Sequence, residues 1–420
     1  MKPKILTTMK EYSWQTFAAD LFAGITVAMV ALPLSLAIAI ASGADPAKGI
    51  VTAIVGGFFI SLLGGSRVQI GGPTGAFIVV VFNVIANHGY DGLVLATLMA
   101  GAILLVAGLC RAGSLVRFVP EPVINGFTIG IALIIAVSQL QDMLGLSGLP
   151  ASPDMLEKIP ALWEARAHIN VTSVLVAVAT IAMIAGFKKL APKLPGLLVA
   201  VGLTSAAAFF YHLPVDTILA RFGELPSALP MPSMPKITMS RMGELLPSAL
   251  VIAFLAGVES LLSAMVADKM TGNKHRSNAE VIAQGVANMA SALFAGLPAT
   301  GAIARTATNI KAGGKTPVAG IVHALSILLM MLLLAPLVGY MAMPALAGLL
   351  MLAAWNMSEP HKWSSYLSLP LGDKGLLVLT LLLTVLTDLT IAIGVGVAIG
   401  LAMRLRKHNV PPPKWDARDG

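Results

Sequence analysis

A chain of 420 residues that is 57% apolar and 11% charged does not have the composition of a soluble globule, in which about a quarter of residues are charged. With a mean hydropathy of +0.85 it reads as a polytopic membrane protein. The net charge of +8 does not argue for nucleic acid, because cytoplasmic loops of membrane proteins collect Lys and Arg. The single cysteine, Cys110, excludes an intrachain disulfide and a cysteine-based metal cage. The sequence holds no Gly-x-x-x-x-Gly-Lys loop and no His-Glu-x-x-His spacing, so neither an ATP motor nor a zinc hydrolase is written in it.

Lys2, Lys4 and Lys10 precede an apolar run from Leu21 that ends in Ala39-Ile40-Ala41. This run is too long for a signal h-region and contains Pro33, so it reads as a retained segment. The first segment is about Asp20 to Ala41, with Asp20 at its start, where a carboxylate suits the positive helix end. The second, about Pro46 to Leu63, is rich in Gly and Ala, which let membrane helices pack closely. Segment 3 is short, Pro73 to about Ala86, and segment 4 runs from about Leu93 to Leu109. After a polar linker, segment 5 runs from about Val123 to Val137. A surface helix around Asp154 to Ala167 leads to segments 6 (about Val171 to Phe187) and 7 (about Leu194 to Tyr211). A Pro-rich connection then crosses to segment 8, about Leu245 to Ala267, which holds Glu259. Segment 9 is about Ala279 to Phe294, and segment 10 opens with Gly296-Leu297-Pro298-Ala299-Thr300-Gly301. Segments 11 to 14 are about Val318 to Leu337, Pro344 to Trp355, Lys374 to Leu386 and Leu389 to Met403.

The expected fold is therefore an all-α polytopic membrane protein of fourteen segments, with both termini on one side. Most of the Lys and Arg fall in loops on the N-terminal side, which places both termini in the cytoplasm. Fourteen splits into seven and seven, and an odd repeat forces the second copy to be inverted. Residues 1–16 would be a cytoplasmic tail, 17–211 the first repeat, 212–243 an extracytoplasmic connection, 244–406 the second repeat and 407–420 a cytoplasmic tail.

Two short Pro/Gly-interrupted segments in matching positions point to a transporter binding site. After Gly72, the tetrad Pro73, Thr74, Gly75 and Ala76 matches the tetrad Ala299, Thr300, Gly301 and Ala302, with Thr74 against Thr300. The same offset pairs Pro33 with Glu259. In an inverted repeat the two helix starts would face each other near the midplane, where their unpaired N–H groups and positive dipole ends form an anion site. Thr74 and Thr300 are placed to cap these starts or to donate hydroxyls. Alternatively, Pro-x-Gly simply starts a helix. Arg305, inside segment 10, would add positive potential to that site or gate it. It would otherwise pair with a carboxylate or snorkel to the interface. Glu259, a carboxylate in the middle of a long apolar segment, would take a proton or hold Na⁺ with Ser263 or Ser260 nearby, or else make a structural hydrogen bond. Asn288 and Gln284 read as glue between helices. No cofactor is expected beyond a coupling ion, H⁺ or Na⁺.

Several runs carry a family resemblance: Ala31-Leu32-Pro33-Leu34-Ser35-Leu36-Ala37, Gly71 to Gly75, Ala256 to Leu262, Val266 to Gly272, Leu297 to Asn309 and Ala312 to Thr316. Together they resemble the SulP family of anion transporters, solute carrier family 26 in animals. The resemblance implies a seven-plus-seven inverted repeat with a core domain (segments 1–4 and 8–11) and a gate domain (segments 5–7 and 12–14). The substrate would lie between the starts of segments 3 and 10. Asn356 to Lys362 and Thr271 to His275 look most like the bacterial branch that includes C4-dicarboxylate carriers. That ranks a C4-dicarboxylate such as fumarate or succinate first, then sulfate or bicarbonate. The expected activity is secondary active, H⁺-coupled transport by alternating access in a bacterial inner membrane, and not enzymatic catalysis. The partners are a small inorganic or carboxylate anion and the lipid bilayer, without nucleic acid, and a homodimer stays open. An anion channel, or an uncoupled exchanger, is the alternative. A nucleobase permease of the same fold would place acidic residues in segments 8 and 10, whereas segment 10 has Arg305. Members of the family usually carry a STAS domain after the last segment; here only residues 407–420 follow it.

Overall fold

A computed structural model of the chain describes residues 2–113, 120–149, 155–191, 195–387 and 389–406. Within these the architecture is helical. A short helix, Ile5–Thr8 (α1), precedes Trp14–Ala41 (α2), Pro46–Leu63 (α3), Ile78–Leu109 (α4), Glu121–Met143 (α5) and Met155–Glu164 (α6). Val171–Leu190 (α7), Gly196–Phe210 (α8) and Ile218–Phe222 (α9) follow. The second half holds Met239–Thr271 (α10), Ser277–Leu293 (α11), Ile303–Lys311 (α12), Val318–Gly339 (α13) and Met343–Met357 (α14). Trp363–Leu367 (α15), Leu371–Leu386 (α16) and Leu389–Arg406 (α17) complete it. Seven helices are long and apolar enough to cross a membrane by length and composition: α2, α3, α4 extended back to Gly75, α5, α7, α10 and α13. Gly196–Phe210 and Ile391–Gly400 are apolar but shorter.

Local chemistry explains most helix ends. Asp45 caps α3 by accepting from the Ala47 amide at 2.8 Å, ahead of Pro46, whose missing N–H costs nothing at a helix start. Thr238 caps α10, and Gly272 ends it in the left-handed conformation at φ 71°. Segments 3 and 4 of the sequence reading are two helices that meet inside the range of α4, at Gly89, whose φ of 70° and ψ of 177° are not helical. The surface helix expected around Asp154 to Ala167 is α6, continued by a 3₁₀ turn, Ala165–His168; Asp154 itself lies outside the described residues.

Asp20 is not at a helix start, because α2 begins earlier, capped by Ser13. It is fully buried and serves another part of the chain. Its carboxylate accepts from the Lys315 amide at 2.7 Å, the Thr316 amide at 3.1 Å and the Thr316 hydroxyl. The loop between α12 and α13 is thus pinned to α2. Tyr12 donates to the same carboxylate at 3.3 Å, and burial together with that charge pushes its phenol up to about 12.

The helices pack in two sets. In the first, α4 lies against α10 and α11, α3 against α11 and α13, and α2 against α3 and α13. Close approach of α4 and α11 rests on Gly101 and Gly285: a Cβ at either would fall within 2.8 Å of the other's carbonyl oxygen. In the second set, α5 lies against α14 and α16, α14 against α7, and α16 against α17. The sets meet where α2 touches α8 and α14 and where the start of α4 touches α5. Two strands sit inside the first set, Gly71–Gly72 (β1) and Thr300–Gly301 (β2). They pair antiparallel, with Gly71 opposite Gly301 and Gly72 opposite Thr300.

Replacing Asp20 by Ala strands four donors, the two of Thr316 in a buried place, at a cost on the order of 3 kcal/mol. A clear fall in the apparent melting temperature of the purified protein, read by heating followed by size exclusion, is the expected outcome. Unchanged melting would show that the α12–α13 loop does not depend on this carboxylate.

Candidate functional site

Backbone that is not helical at membrane depth must find its hydrogen bonds inside the protein. The stretches before α4 and α12 are such backbone, and side chains from other helices satisfy them. Thr52 of α3 accepts from the Leu297 amide at 2.6 Å. Asn288 of α11 accepts from the Ala299 amide at 2.9 Å and donates to the Ala299 carbonyl at 2.8 Å, so it pairs with this residue as another strand would. The Ile70 amide donates to the Thr306 hydroxyl at 3.1 Å, and the Ala302 amide to the Ile70 carbonyl at 2.8 Å. Asn309 donates to the Val68 carbonyl at 2.8 Å.

The pairing of β1 with β2 brings the two matched tetrads together. Gly72, Pro73, Ala76, Ala299, Thr300, Gly301 and Ala302 are all buried, while Thr74 and Gly75 are half-buried. Gly301 must lack a side chain, since a Cβ there would overlap the Gln69 amide. The threonines are not caps. Thr74 donates to the Glu259 carboxylate at 2.7 Å, and Thr300 donates to the Ala256 carbonyl at 2.9 Å, both on α10. The first turn beginning at Gly75, and the first turn of α12 after Ala302, therefore have no side-chain cap. Their leading N–H groups have no acceptor within the helix, and each turn presents the positive end of a helix dipole.

Arg305 lies behind β1 and is 1% exposed. Its Nη2 donates to the Pro73 carbonyl at 2.9 Å and to the Ser35 hydroxyl at 3.2 Å. A Cβ on Gly72, which takes φ +151°, would fall 2.1 Å from Nη1. Of the readings left open by the sequence, snorkelling does not fit this burial, and no carboxylate forms an ion pair with it among the described residues. Glu259 is half-buried on the open side of Thr74. Ser260 and Ser263 turn away from it into the interior. Ser263 shares a hydrogen bond with Thr306 at 3.1 Å, and Ser260 donates to Glu280 at 3.0 Å. Across from Gly75 stand Ile135 of α5 and Met357 of α14, which a Cβ at Gly75 would touch at about 3.4–3.5 Å.

Sequence reasoning passed over Glu280, Gln69 and Ser35. Glu280 is fully buried and accepts from the Gly65 amide at 2.9 Å, the Ser66 amide at 3.2 Å and Gln284 at 2.9 Å. Gln69 donates to Ser260 at 2.8 Å. A signal for the first was present: Glu280, Gln284, Asn288 and Ser291 recur at helical spacing along one face of an otherwise small and apolar helix. Asn288 and Gln284 join helices as expected, but Asn288 also shapes the backbone of the site.

The arrangement offers a fixed positive potential, two uncapped helix starts and one carboxylate, which suits holding an anion better than making or breaking a covalent bond. The sequence matches the Sulfate permease family over residues 17–380. It is 45% identical over 383 residues to the putative sulfate transporter YvdB of Bacillus subtilis (strain 168), covering 91% of this chain and 72% of that one. It is 33% identical over 400 residues to the bicarbonate transporter BicA of Picosynechococcus sp., covering 90% and 68%. Among solved structures, the transmembrane domain of a cyanobacterium bicarbonate transporter BicA aligns with a TM-score of 0.80 at 29% identity, over 93% of this chain and 98% of that one. SLC26A9 aligns with a TM-score of 0.86 at 19% identity, over 97% and 68%, a likeness of fold. This polytopic membrane protein belongs to the sulfate permease family of anion transporters.

Proposed function

We propose that the chain is a secondary active carrier of small oxyanions, with the anion held between the starts of α4 and α12. One observation carries this reading: a buried guanidinium, Arg305, without a carboxylate partner, stands behind two paired strands that deliver two uncapped helix starts. Arg305 would act through its field and by holding the Pro73 carbonyl back, leaving Thr74 and Gly75 to meet the anion. A fourteen-segment inverted repeat fits the antiparallel pairing of β1 with β2, since inverted copies run in opposite directions. The two packing sets would be the core and gate of that repeat, moving against each other for alternating access. The inner membrane with both termini cytoplasmic is the setting that the Lys and Arg distribution favours.

Sulfate and bicarbonate lead as substrates in this reading. They are the anions in the names of the relatives, and they are compact. A C4-dicarboxylate is longer and would gain from a second cationic anchor; among the described residues Arg305 is the guanidinium at the site, so fumarate and succinate move down the order.

Glu259 is the proposed coupling group. Its negative charge beside Thr74 repels an incoming anion, and a proton removes that repulsion, so proton and anion bind together. A sodium ion would need oxygens from Glu259 and Ser263 together, but the Ser263 hydroxyl is already shared with Thr306. The reading therefore favours H⁺.

Uptake of radiolabelled sulfate, bicarbonate and fumarate into proteoliposomes, with and without an inward proton gradient, tests the proposal. Uptake of sulfate or bicarbonate that collapses with the gradient is expected; no uptake of any of the three would overturn it. Arg305→Ala should cut uptake roughly tenfold, the equivalent of about 1.4 kcal/mol of anion affinity. Wild-type kinetics in that variant would remove Arg305 from the site. Glu259→Gln mimics the protonated state and should keep anion exchange while flattening its pH dependence. A retained pH profile would assign coupling to another group.

A further inference from the structure

Behind the proposed anion site, three helices enclose polar groups that have no use in the reading so far. His323 of α13 is fully buried, and neither ring nitrogen has a hydrogen-bond partner among the described residues. Ser61 of α3 is 3% exposed, and its hydroxyl has none. Arg305 has two unpartnered donors, Nε and Nη1. These side chains belong to one neighbourhood. A Cβ at Gly320, one turn before His323, would fall 2.0 Å from the Ser61 oxygen. A Cβ at Gly57, one turn before Ser61, would lie 3.8 Å from the His323 ring and 3.1 Å from the Gly71 carbonyl. Gly71 adjoins Gly72, whose Cβ would meet Arg305 Nη1. The face of α3 through Gly57 and Ser61 thus looks onto His323, β1 and the rear of Arg305.

We infer that this neighbourhood is a hydrated chamber, in which bound water bridges Arg305, His323 and Ser61 on the side of β1 away from the anion. The chemistry of the set selects water over a second anion. Arg305 supplies only donors, but a neutral imidazole carries an acceptor nitrogen as well as an N–H, and a serine hydroxyl both donates and accepts. A sulfate, which has no O–H, could answer the donors and would leave the imidazole acceptor unmet. Water answers all of them, since one molecule accepts from the guanidinium and donates to the imidazole. Such water has a use. A buried guanidinium without a carboxylate is costly to desolvate when its anion has left. Water at its rear stabilises the charged, empty carrier through the return step. This last point alone rests on the anion-carrier reading.

X-ray radiolytic labelling of the full chain in nanodiscs, in ¹⁸O water, tests the chamber without relying on transport. His323 should be oxidised despite its burial and with slow solvent exchange. Met331, on the same helix and 2% exposed among apolar neighbours, should stay unmodified although methionine is the more reactive side chain. A silent His323 overturns the inference. Labelling of His323 that persists in saturating sulfate supports water as the occupant; labelling that sulfate abolishes overturns it, because the anion would then fill the space. In proteoliposomes, Ser61→Ala should slow net uptake severalfold more than anion exchange, in which the carrier never returns empty. Equal slowing of both, or none, would overturn the role in the return step.

Discussion

The structure depends on the hydrogen bonding of two uncoiled stretches inside a bilayer. Lipid offers them no partner, so a helix cannot be broken at that depth unless other helices supply donors and acceptors. Here most of the supply crosses between the halves of the chain, Asn288 being the local exception. Thr52 and Asn288 hold the stretch before α12, Glu280 holds Gly65 and Ser66, and Thr306 and Asn309 hold Val68 and Ile70. β1 and β2 then complete each other. Each helix start is therefore built in part by residues of the other half of the chain, and neither could keep its place alone.

That scaffold brings two opposite charges to adjacent residues. The Pro73 carbonyl receives Arg305 from the interior, and the Thr74 hydroxyl gives to Glu259 on the open side. One peptide unit thus links a buried cation to a half-buried carboxylate. A change of charge at Glu259 alters the hydrogen bond of Thr74 directly, and through it the start of α4. In the proposed carrier no long path would be needed to couple a proton to an anion, because both would act on the same turn.

The two matched segments are alike in sequence and unlike in use. Thr300 is fully buried and bonded to the Ala256 carbonyl, while Thr74 is half-buried and bonded to a side chain that can lose its charge. The helix after Thr74 runs from Ile78 to the break at Gly89, and a second helix continues to Leu109; the one after Ala302 ends after nine residues, at Lys311, ahead of Gly313 with φ 96°. The proposed site is therefore one-sided, facing Ile135 of α5 and Met357 of α14 at Gly75.

Composition alone determined that the chain lives in a membrane, because 57% apolar residues with few charges leave no soluble alternative. Proline and glycine placement marked both interruptions, since their backbone restrictions act within a few residues. The family was legible from short runs spread over the chain, and the sulfate permease match over residues 17–380 agrees. Partners were not legible. Asp20 looked like a dipole-complementing carboxylate at a helix start and instead binds a loop near Thr316; Glu280, passed over in the sequence, holds the turn at Gly65. Thr74 and Thr300, placed to cap or to donate their hydroxyls, donate them to α10. A hydroxyl or carboxylate makes its bond within about 3 Å, and which group arrives there is decided by chain segments some two hundred residues distant. Only the tertiary structure could choose among them.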